Sequence, residues 1–513
     1  MTYIIALDIG TTSVKGILLD VERALVVEKV IEPLDIAYPK PGWCEQSPDG
    51  IFRGALNALS KLISHSKVNA EEVAGISIDA QMLGVMPIDR EGEPLYNLIN
   101  WLDVRAAGEP SELFTGFPKI SGYNVFKLIK FLRRVGGAPS KTGKDPLSKI
   151  VWIKKNMPEV YSKTWKFLNV NGLVVYKLTG NPVINADEAH VTWLADVRGE
   201  RPRWHTKLVR ELGLDVDKLP DIKLPIEVAG SLKKEIAREV GLSEKVRVVV
   251  GSGDVAATAI GSGAVEDYEA HLYIGTGTWQ AAHVPYMKID LFHAIGTLVS
   301  AIPGRYLLIA DQAAGCDSLD YVVKLLYGEV SKKIYDEVGE SVMKIDPASN
   351  RVFFLPWLSG ERVPIDDPYV RGVLFNISLS DTRFHAVEAI MEGLAFNVKW
   401  AYMYFERLLG RKMSRLNIVG GGALWNSLCQ IIADATGLEV WRMNTMREAS
   451  VIGAAVIGLK GLGLAEFEYV KKIARPERVF KPREHLREVF DRKFKLFVEI
   501  YKRNKKLFKL LNK

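Results

Sequence analysis

The sequence has few cysteines and no long apolar run, and both absences narrow the classes of protein to which it can belong. Cys44, Cys316 and Cys429 are the three cysteines among 513 residues, and no CxxC pair occurs. Their scatter argues against a disulfide framework or a zinc site and fits a reducing compartment. No stretch approaches the roughly 20 apolar residues that span a bilayer. Because the N-terminus also lacks a basic region before its short apolar run, we expect a cytoplasmic protein without a signal peptide.

Histidine is also scarce, with eight residues, and the net charge of +7 is modest for this length. No cluster of His and Asp at metal-ligand spacing supports a metal-dependent hydrolase. Much of the positive charge lies in the last residues, where Phe494, Phe497 and Tyr501 recur at helical spacing. This pattern predicts an amphipathic basic helix that docks its apolar face on the protein body. We expect neither nucleic-acid binding nor membrane binding from it.

A duplicated pattern dominates the organisation of the chain, which is long enough for two large domains. "YIIALDIGTTSVKGILLD" at 3–20 and "AHLYIGTGTWQAAHV" at 270–284 both predict a strand, a tight Gly/Thr turn and a second strand. Further apolar strands and helical stretches follow in each half. The sequence therefore predicts duplicated α/β halves.

The glycine-rich turns are candidate phosphate sites. The first is not a P-loop, because the chain after Gly10 continues as a strand instead of a helix. A hairpin is its simplest interpretation, but Asp8 before the turn and Lys15 after it add a carboxylate for Mg²⁺ and a charge for phosphate. A second turn at 275–278 and a triple glycine at 420–422 repeat the theme. Three such sites in two similar halves favour nucleotide binding over three unrelated turns.

One carboxylate, Asp254, follows Gly-Ser-Gly where a helix should begin. An acid at a helix N-terminus is favoured electrostatically, so it can serve as a cap. It can equally serve as a general base, because the flanking glycines let a substrate approach closely. The residues alone leave both roles open.

Several segments, taken together and in this order, resemble the landmarks of the FGGY carbohydrate kinases within the actin-like ATPase superfamily. The resemblance covers essentially residues 1 to 480 and is nearest to the xylulokinase branch. The segments include "LDIGTTSVKG" (7–16), "WLDVRA" (101–106), "KIVWIKKNMPEVY" (149–161), "VGSGDVAATAIGSGAV" (250–265), "FLPWLSGERVPIDDP" (354–368) and "GGGALWNSLCQIIADATG" (420–437).

The resemblance implies an α/β protein with two duplicated ribonuclease-H-like domains and a cleft between them. Residues 1–247 would hold the sugar site and the first phosphate loop, 248–480 the base and the nucleotide site, and 481–513 a basic helical tail. It implies transfer of a phosphoryl group from ATP, with Mg²⁺, to a primary hydroxyl of a small sugar or polyol. A homodimer is left open.

The resemblance also carries roles over to individual residues. Asp254 would be the general base, and Asp8 would hold Mg²⁺ through water. The implied nucleotide-binding positions are Thr11, Thr12, Ser13, Lys15, Gly275, Thr276, Gly315, Gly421, Gly422 and Asn426. The implied sugar contacts are Asp79, Gln81, Met82, Asp103 and Arg105, together with Asp254.

Two departures bear on the acceptor. Xylulokinases carry Met-His-Gly where this chain has Met82-Leu83-Gly84, and a Leu cannot hydrogen-bond a sugar hydroxyl. Glycerol kinases carry Gln at the position of Val255, which argues against glycerol. D-xylulose is the first-choice acceptor. The alternatives are ribulose, gluconate, glycerol or another polyol, and, in a different class, an actin-like ATPase that takes no sugar.

Overall fold

The computed structural model describes residues 1–120 and 122–512, and the chain divides into two units, each built on one large mixed sheet. Unit 1 comprises Met1–Gly261, Leu298–Arg305 and Ser450–Ile473, and unit 2 comprises Ser262–Thr297, Tyr306–Ala449 and Ala474–Lys513.

The strands of the described residues are β1 (Tyr3–Ile9), β2 (Ser13–Asp20), β3 (Leu25–Pro33), β4 (Glu45–Gln46), β5 (Val73–Ala80), β6 (Met86–Ile88), β7 (Leu98–Ile99), β8 (Lys119–Ile120), β9 (Tyr123–Asn124), β10 (Lys166–Leu168), β11 (Val183–Asn185), β12 (Ala195–Asp196), β13 (Arg203–Trp204), β14 (Asp221–Lys223), β15 (Val228–Ser231), β16 (Arg247–Gly253), β17 (Ala270–Ile274), β18 (Thr278–Val284), β19 (Ile289–Asp290), β20 (Ile295–Val299), β21 (Tyr306–Gln312), β22 (Phe353–Leu355), β23 (Val373–Phe375), β24 (Arg415–Val419), β25 (Glu439–Met443) and β26 (Pro476–Phe480).

The helices of the same residues are α1 (Pro48–Ser66), α2 (Glu109–Leu113), α3 (Val125–Val135), α4 (Pro146–Asn156), α5 (Pro158–Lys163), α6 (Val170–Thr179), α7 (Ala186–Val191), α8 (Thr206–Glu211), α9 (Lys234–Val240), α10 (Asp254–Gly261), α11 (Cys316–Tyr327), α12 (Lys332–Val342), α13 (Arg383–Leu409), α14 (Asn426–Thr436), α15 (Ala449–Gly461) and α16 (Arg487–Asn512). None of the helices in residues 1–120 and 122–512 has both the length and the apolar character that a membrane span requires.

The sheet of unit 1 has the strand order β15-β16-β5-β1-β2-β3. Strands β1, β5 and β16 run parallel to one another, whereas β2, β3 and β15 are antiparallel to their neighbours. Every residue of β1 is buried, as expected for a strand covered on both faces. Helices α1, α6 and α9 pack with the sheet into one apolar core. Because the parallel strands share a direction, their carboxyl ends meet at one edge.

The sheet of unit 2 has the order β19-β20-β21-β18-β17-β24-β25-β26. Its strands β17, β24 and β25 run parallel, and β18 is antiparallel to both β17 and β21. The order β21-β18-β17-β24-β25 therefore repeats the order β3-β2-β1-β5-β16 of unit 1, with the same directions. The two paired strands in each case, β1–β2 and β17–β18, are the segments with matching sequence patterns. The predicted duplication of an α/β half is confirmed.

The division between the units differs from the predicted boundary. The sequence predicts that the second domain begins at residue 248, whereas unit 2 begins at Ser262. The reason is the pairing of β16, which lies between β5 and β15 in the sheet of unit 1. Two later segments, Leu298–Arg305 and Ser450–Ile473, also return to unit 1. Local composition gives no sign that a later segment of the chain packs on the first unit.

Helix α16 is docked on the core of unit 2 by its apolar face. Phe490 and Phe497 are fully buried in the same cluster as the side chains of α13 and α14. Lys493 is buried as well and pairs with Glu392 of α13. The stripe of aromatic residues that predicts a docked helix is therefore an integral part of this core.

Candidate active site

Three carboxyl groups lie at the carboxyl edge of the three parallel strands of unit 1. Asp8 near the end of β1 is in register with Asp79 of β5, and β16 beside β5 leads directly into Asp254. Asp8 is buried and accepts a hydrogen bond from Lys15 Nζ at 3.1 Å. The fold therefore collects acids from three separated sequence segments at one edge of the sheet.

The pair of Asp8 and Asp79 fits a magnesium ion held partly through water. Asp79 is fully buried; its Oδ1 accepts a hydrogen bond from Ser450 Oγ at 2.6 Å, and its Oδ2 has no hydrogen-bond partner. Burial, and next the carboxylate of Asp8, hold the pKa of Asp79 well above its usual range. A divalent cation would relieve this crowding, and Mg²⁺ commonly takes one or two carboxylates and keeps several waters. No group of three His, Cys, Asp or Glu residues within the described parts of the chain is arranged to hold a metal directly.

This burial bears on the role that the resemblance implies for Asp79, which stays a prediction. The resemblance implies a sugar contact, but a side chain with no exposed surface cannot meet a sugar without rearrangement. Its neighbour Asp8 lies on the same side of the sheet, since residues in register on parallel strands point to the same face. We therefore group Asp79 with Asp8 instead of with the acceptor.

Asp254 is the first residue of α10 and is partly exposed. Its Oδ1 accepts a hydrogen bond from the backbone N–H of Val255 at 2.9 Å, so one oxygen contributes to the start of the helix. The preceding Gly251 has φ +76°, and a Cβ there would lie 1.7 Å from the carbonyl oxygen of Ile78. Glycine is thus required for β16 to bend closely past β5 and to present Asp254 at the edge.

The side chain of Gln81 is fully engaged within the first Gly/Thr loop. Its Nε2 donates to the carbonyl oxygen of Gly10 at 3.2 Å and to Gln46 Oε1 at 2.7 Å. Its Oε1 accepts from Thr11 Oγ1 at 3.1 Å and from Asn100 Nδ2 at 2.8 Å. An amide offers two donors and two acceptor positions, so none is left for a substrate. Gln81 holds the loop, in place of the sugar contact that the resemblance implies.

The residues of this loop that are predicted to bind phosphate differ in how accessible their side chains are. The hydroxyl of Thr11 donates to Gln81 and also accepts from Trp101 Nε1 at 3.0 Å. Thr12 is exposed, and Ser13 and Lys15 are partly exposed. The hydroxyl groups of Thr12 and Ser13 and the Lys15 ammonium are therefore the accessible groups of this turn.

Asp103 and Arg105 form a buried ion pair, which departs from the predicted sugar contact. Arg105 Nη2 lies 2.7 Å from both Asp103 Oδ2 and Glu45 Oε1, and these three side chains are at most 4% exposed. The guanidinium also lies over the ring of Trp43, 3.6 Å from its centroid, and Nη1 donates to the hydroxyl of Tyr96. An arginine so enclosed stabilises the surrounding loops, and the sugar contact that the resemblance implies for it stays a prediction.

Met82, one of the predicted sugar contacts, lies beside the residue that precedes the base. A Cβ added to Gly253 would lie 2.5 Å from Met82 Cγ, so this side chain packs on the residue before Asp254. Asp187 joins the same place: its Oδ2 accepts from the N–H of Gly253 at 2.6 Å and its Oδ1 from Asn185 Nδ2 at 2.7 Å. Burial raises the pKa of Asp187 to about 6.

Sequence reasoning missed three buried titratable groups at this site, namely Asp187, Glu188 and Lys149. Burial raises the pKa of Glu188 to about 8 and lowers that of Lys149 to about 7. In the sequence, the two acids read as ordinary charges at the start of a helix. Lys149 begins "KIVWIKKNMPEVY", a segment that resembles a family landmark, and this was the available signal for it.

Four of the predicted nucleotide positions meet in unit 2. The N–H of Cys316 donates to the carbonyl oxygen of Gly275 at 2.6 Å. A Cβ added to Gly315 would lie 2.3 Å from the carbonyl oxygen of Thr276, and one added to Gly422 would lie 2.6 Å from Cys316 Sγ. The Gly/Thr turn, the start of α11 and the triple glycine therefore form one corner, packed as closely as glycine allows.

The remaining two nucleotide positions are open to solvent. Gly421 is exposed, and a Cβ added there would meet no atom within 4 Å. Asn426, the first residue of α14, is also exposed, and its Oδ1 accepts a hydrogen bond from Arg442 Nη1 at 2.7 Å. Its Nδ2 can still donate to a ligand.

Most of the chain matches the two domains of one enzyme family. The N-terminal domain of the FGGY family of carbohydrate kinases matches residues 3–261, and the C-terminal domain of that family matches residues 272–462. The chain belongs to the FGGY family of carbohydrate kinases. It is therefore an ATP-dependent carbohydrate kinase. The N-terminal match ends at residue 261, where the first segment of unit 1 also ends.

Individual relatives of this FGGY kinase carry different names. The xylulose kinase of Lactococcus lactis subsp. lactis is 28% identical over 505 residues, which cover 98% of this chain and 97% of the relative. The glycerol kinase of Thermococcus gammatolerans is 27% identical and covers 94% and 93%. The crystal structure of a xyloylose kinase from Brucella ovis has a TM-score of 0.87 at 25% identity, with 98% and 99% of the two chains covered. These near-equal identities support a sugar kinase without deciding its acceptor.

Proposed function

We propose that the chain is a cytoplasmic kinase that transfers the γ-phosphoryl group of ATP to a primary hydroxyl of a small open-chain sugar or polyol, with D-xylulose as the first-choice acceptor. The observation that carries this proposal is the position of Asp254. It is a partly exposed carboxylate at the carboxyl edge of unit 1, on the same sheet edge as Asp8 and Asp79.

Asp254 accepts the proton of the attacking hydroxyl in this proposal. The side chain stands at the positive N-terminal end of α10, and Val255 N–H occupies one lone pair of Oδ1. A carboxylate has several lone pairs, so accepting an N–H does not in itself prevent it from accepting a proton. Capping and catalysis are therefore compatible roles for the same side chain.

The charge of the transferring group is balanced by the chain's own residues and by Mg²⁺. Asp8 and Asp79 would hold the ion, partly through water, and Lys15 adds a positive charge at the same turn. When bound, Mg²⁺ neutralises phosphate charge, which is a main contribution in phosphoryl transfer. The hydroxyl groups of Thr12, which is exposed, and of Ser13, which is partly exposed, can bond phosphate oxygens.

The glycine corner of unit 2 is proposed to bind the nucleotide. Its three segments lie close together because Gly315 and Gly422 have no side chain. The open surface at Gly421 accommodates a flat ring, and Asn426 beside it can donate to a ring or ribose oxygen.

The acceptor is argued from two side chains near the base. Leu83, where xylulokinases carry His, removes one hydrogen bond and makes this part of the site more apolar. Val255, where glycerol kinases carry Gln, removes a polar group next to Asp254. Val255 therefore disfavours glycerol, whereas Leu83 departs from the xylulokinase pattern and counts against D-xylulose. D-xylulose comes first because the Lactococcus relative is named for it.

The test is an ADP-release assay with the purified chain, ATP and Mg²⁺, across D-xylulose, ribulose, gluconate, glycerol and hexoses. We expect turnover that depends on the added acceptor and is fastest with D-xylulose. Strong turnover of gluconate or glycerol, with none of a pentulose, would reject the acceptor but keep the kinase. ATP hydrolysis that is equal with and without every acceptor would reject the kinase proposal.

A further inference from the structure

The backbone at Leu83 adopts a conformation that its side chain disfavours. Its φ is +67°, in the left-handed region that glycine tolerates and leucine rarely adopts. The residue is partly exposed and directly follows Met82, which packs on Gly253 beside the base. Strained backbone of this kind persists only where surrounding contacts hold it, and it concentrates at ligand sites.

Two buried titratable side chains, Glu188 and Lys149, hold both ends of this residue. The N–H of Leu83 donates to Glu188 Oε2 at 3.2 Å, and its carbonyl oxygen accepts from Lys149 Nζ at 2.7 Å. Glu188 belongs to α7 and is 1% exposed, whereas Lys149 belongs to α4 and is fully buried. Lys149 Nζ also donates to the carbonyl oxygen of Asn100 at 2.9 Å. Burial of such groups is costly, so their joint use on one residue requires a reason.

The start of α7 also holds the strand that carries the base. Asp187, adjacent to Glu188, accepts the N–H of Gly253 at 2.6 Å. Two consecutive acids therefore connect the Met82–Leu83 segment and the residue before Asp254 to one short helix. A shift at either contact would move the segment relative to the base.

We propose that Glu188 and Lys149 are positioning residues that lock Leu83 in its left-handed conformation. They thereby set the Met82–Leu83 segment, which contacts the acceptor, against Asp254. This inference rests on the proposed function. The two hydrogen bonds that Leu83 makes with Glu188 and Lys149 are called the clamp below. The clamp fixes how an acceptor hydroxyl is aligned with the base. Small misplacements of this kind can cost about 10²-fold in rate.

The test compares Glu188→Leu, which removes the acceptor of the Leu83 N–H, with Glu188→Gln, which keeps one. We expect Glu188→Leu to raise the KM of the acceptor much more than the KM of ATP, and Glu188→Gln to restore most of the loss. Because glycine adopts positive φ without strain, adding Leu83→Gly should reduce the effect of Glu188→Leu. A purely structural role would instead leave the effects of the two changes additive.

Hydrogen exchange followed by mass spectrometry supplies a readout that needs no activity. Glu188→Leu should accelerate exchange in the peptide that contains Leu83. The matched control is Glu227→Leu, because Glu227 Oε2 likewise accepts a backbone N–H, that of Leu224, at 2.6 Å. It should accelerate exchange at Leu224 without changing the KM of the acceptor.

The outcomes separate the two proposals. If the wild-type chain phosphorylates no acceptor, the proposed function fails and exchange alone decides on the clamp. Unchanged exchange at Leu83 in folded Glu188→Leu overturns the clamp. If Glu188→Leu does not fold, Leu83→Val provides the test, since a β-branched residue disfavours positive φ still more. An unchanged acceptor KM in folded Leu83→Val would likewise overturn the inference.

Discussion

Removal of the Phe497 ring tests whether α16 is part of the core of unit 2. The side chain is fully buried, and its ring centroid lies 5.4 Å from that of Trp357, 5.6 Å from that of Phe396 and 6.3 Å from that of Trp400. Phe497→Ala removes this ring and leaves a cavity among large rigid neighbours that cannot collapse easily. Such substitutions cost about 3–5 kcal/mol.

The expected cost is large enough to measure by calorimetry. Because a domain of this size shifts its melting temperature by about 2–4 °C per kcal/mol, the transition of unit 2 should fall by about 10 °C. The matched control is Leu510→Ala on the same helix, where the side chain is 80% exposed. This change should stay within about 0.5 kcal/mol of the wild type. A Phe497→Ala protein that melts with the wild type would refute the docked position of α16.

Two further predictions concern unit 1. His190 is fully buried, its Nδ1 accepts from a backbone N–H, and burial lowers its pKa to about 4, so the folded state resists protonation below the unfolded value of 6.5. The contribution of neutral His190 to the free energy of unfolding is therefore present above pH 6.5 and is lost as the pH falls, by about 2 kcal/mol at pH 5. In urea titrations at pH 7 and pH 5, His190→Asn should lose less stability between the two pH values than the wild type does. The control His65→Asn, at an exposed position, should lose as much as the wild type. Gly251→Ala should prevent folding or lower the melting temperature sharply, because its Cβ would overlap the carbonyl oxygen of Ile78, whereas Gly108→Ala, at a position open to solvent, should be tolerated. Equal acid sensitivity of His190→Asn and His65→Asn would contradict the first prediction. Equal melting curves of Gly251→Ala and Gly108→Ala would contradict the second.

Local patterns were sufficient to predict the duplicated architecture. The strand period and the Gly/Thr turn of β1–β2 and of β17–β18 are visible within short windows, and the structure pairs these strands in the same way in both units. The aromatic spacing of α16 is likewise local and predicts its buried face. The start of unit 2 at Ser262 was beyond reach, because it depends on which strands β16 pairs with.

The site likewise has features that could be predicted from the sequence and others that could not. Asp8 and Asp254 were predictable because each stands at the end of an apolar strand beside glycine, and parallel strands bring their ends together, whereas Asp79 was expected at the sugar instead. The partners of each polar side chain were not. Gln81 and Arg105 are typical ligand-binding residue types, yet the fold engages them internally. Glu188 and Lys149 were missed for the opposite reason, since a charged residue in a sequence gives no sign that it will be buried.

The most direct test of the proposed kinase site is the steady-state rate of Asp254→Asn with the best acceptor and ATP. Asparagine keeps the size of the side chain and an oxygen that can accept the N–H of Val255, but it cannot take up a proton. We expect kcat to fall by about 10²–10⁴-fold, the usual loss for a general base, while the KM of ATP and the melting temperature change little. A variant that keeps near-normal turnover and loses stability would show that Asp254 serves only to cap α10.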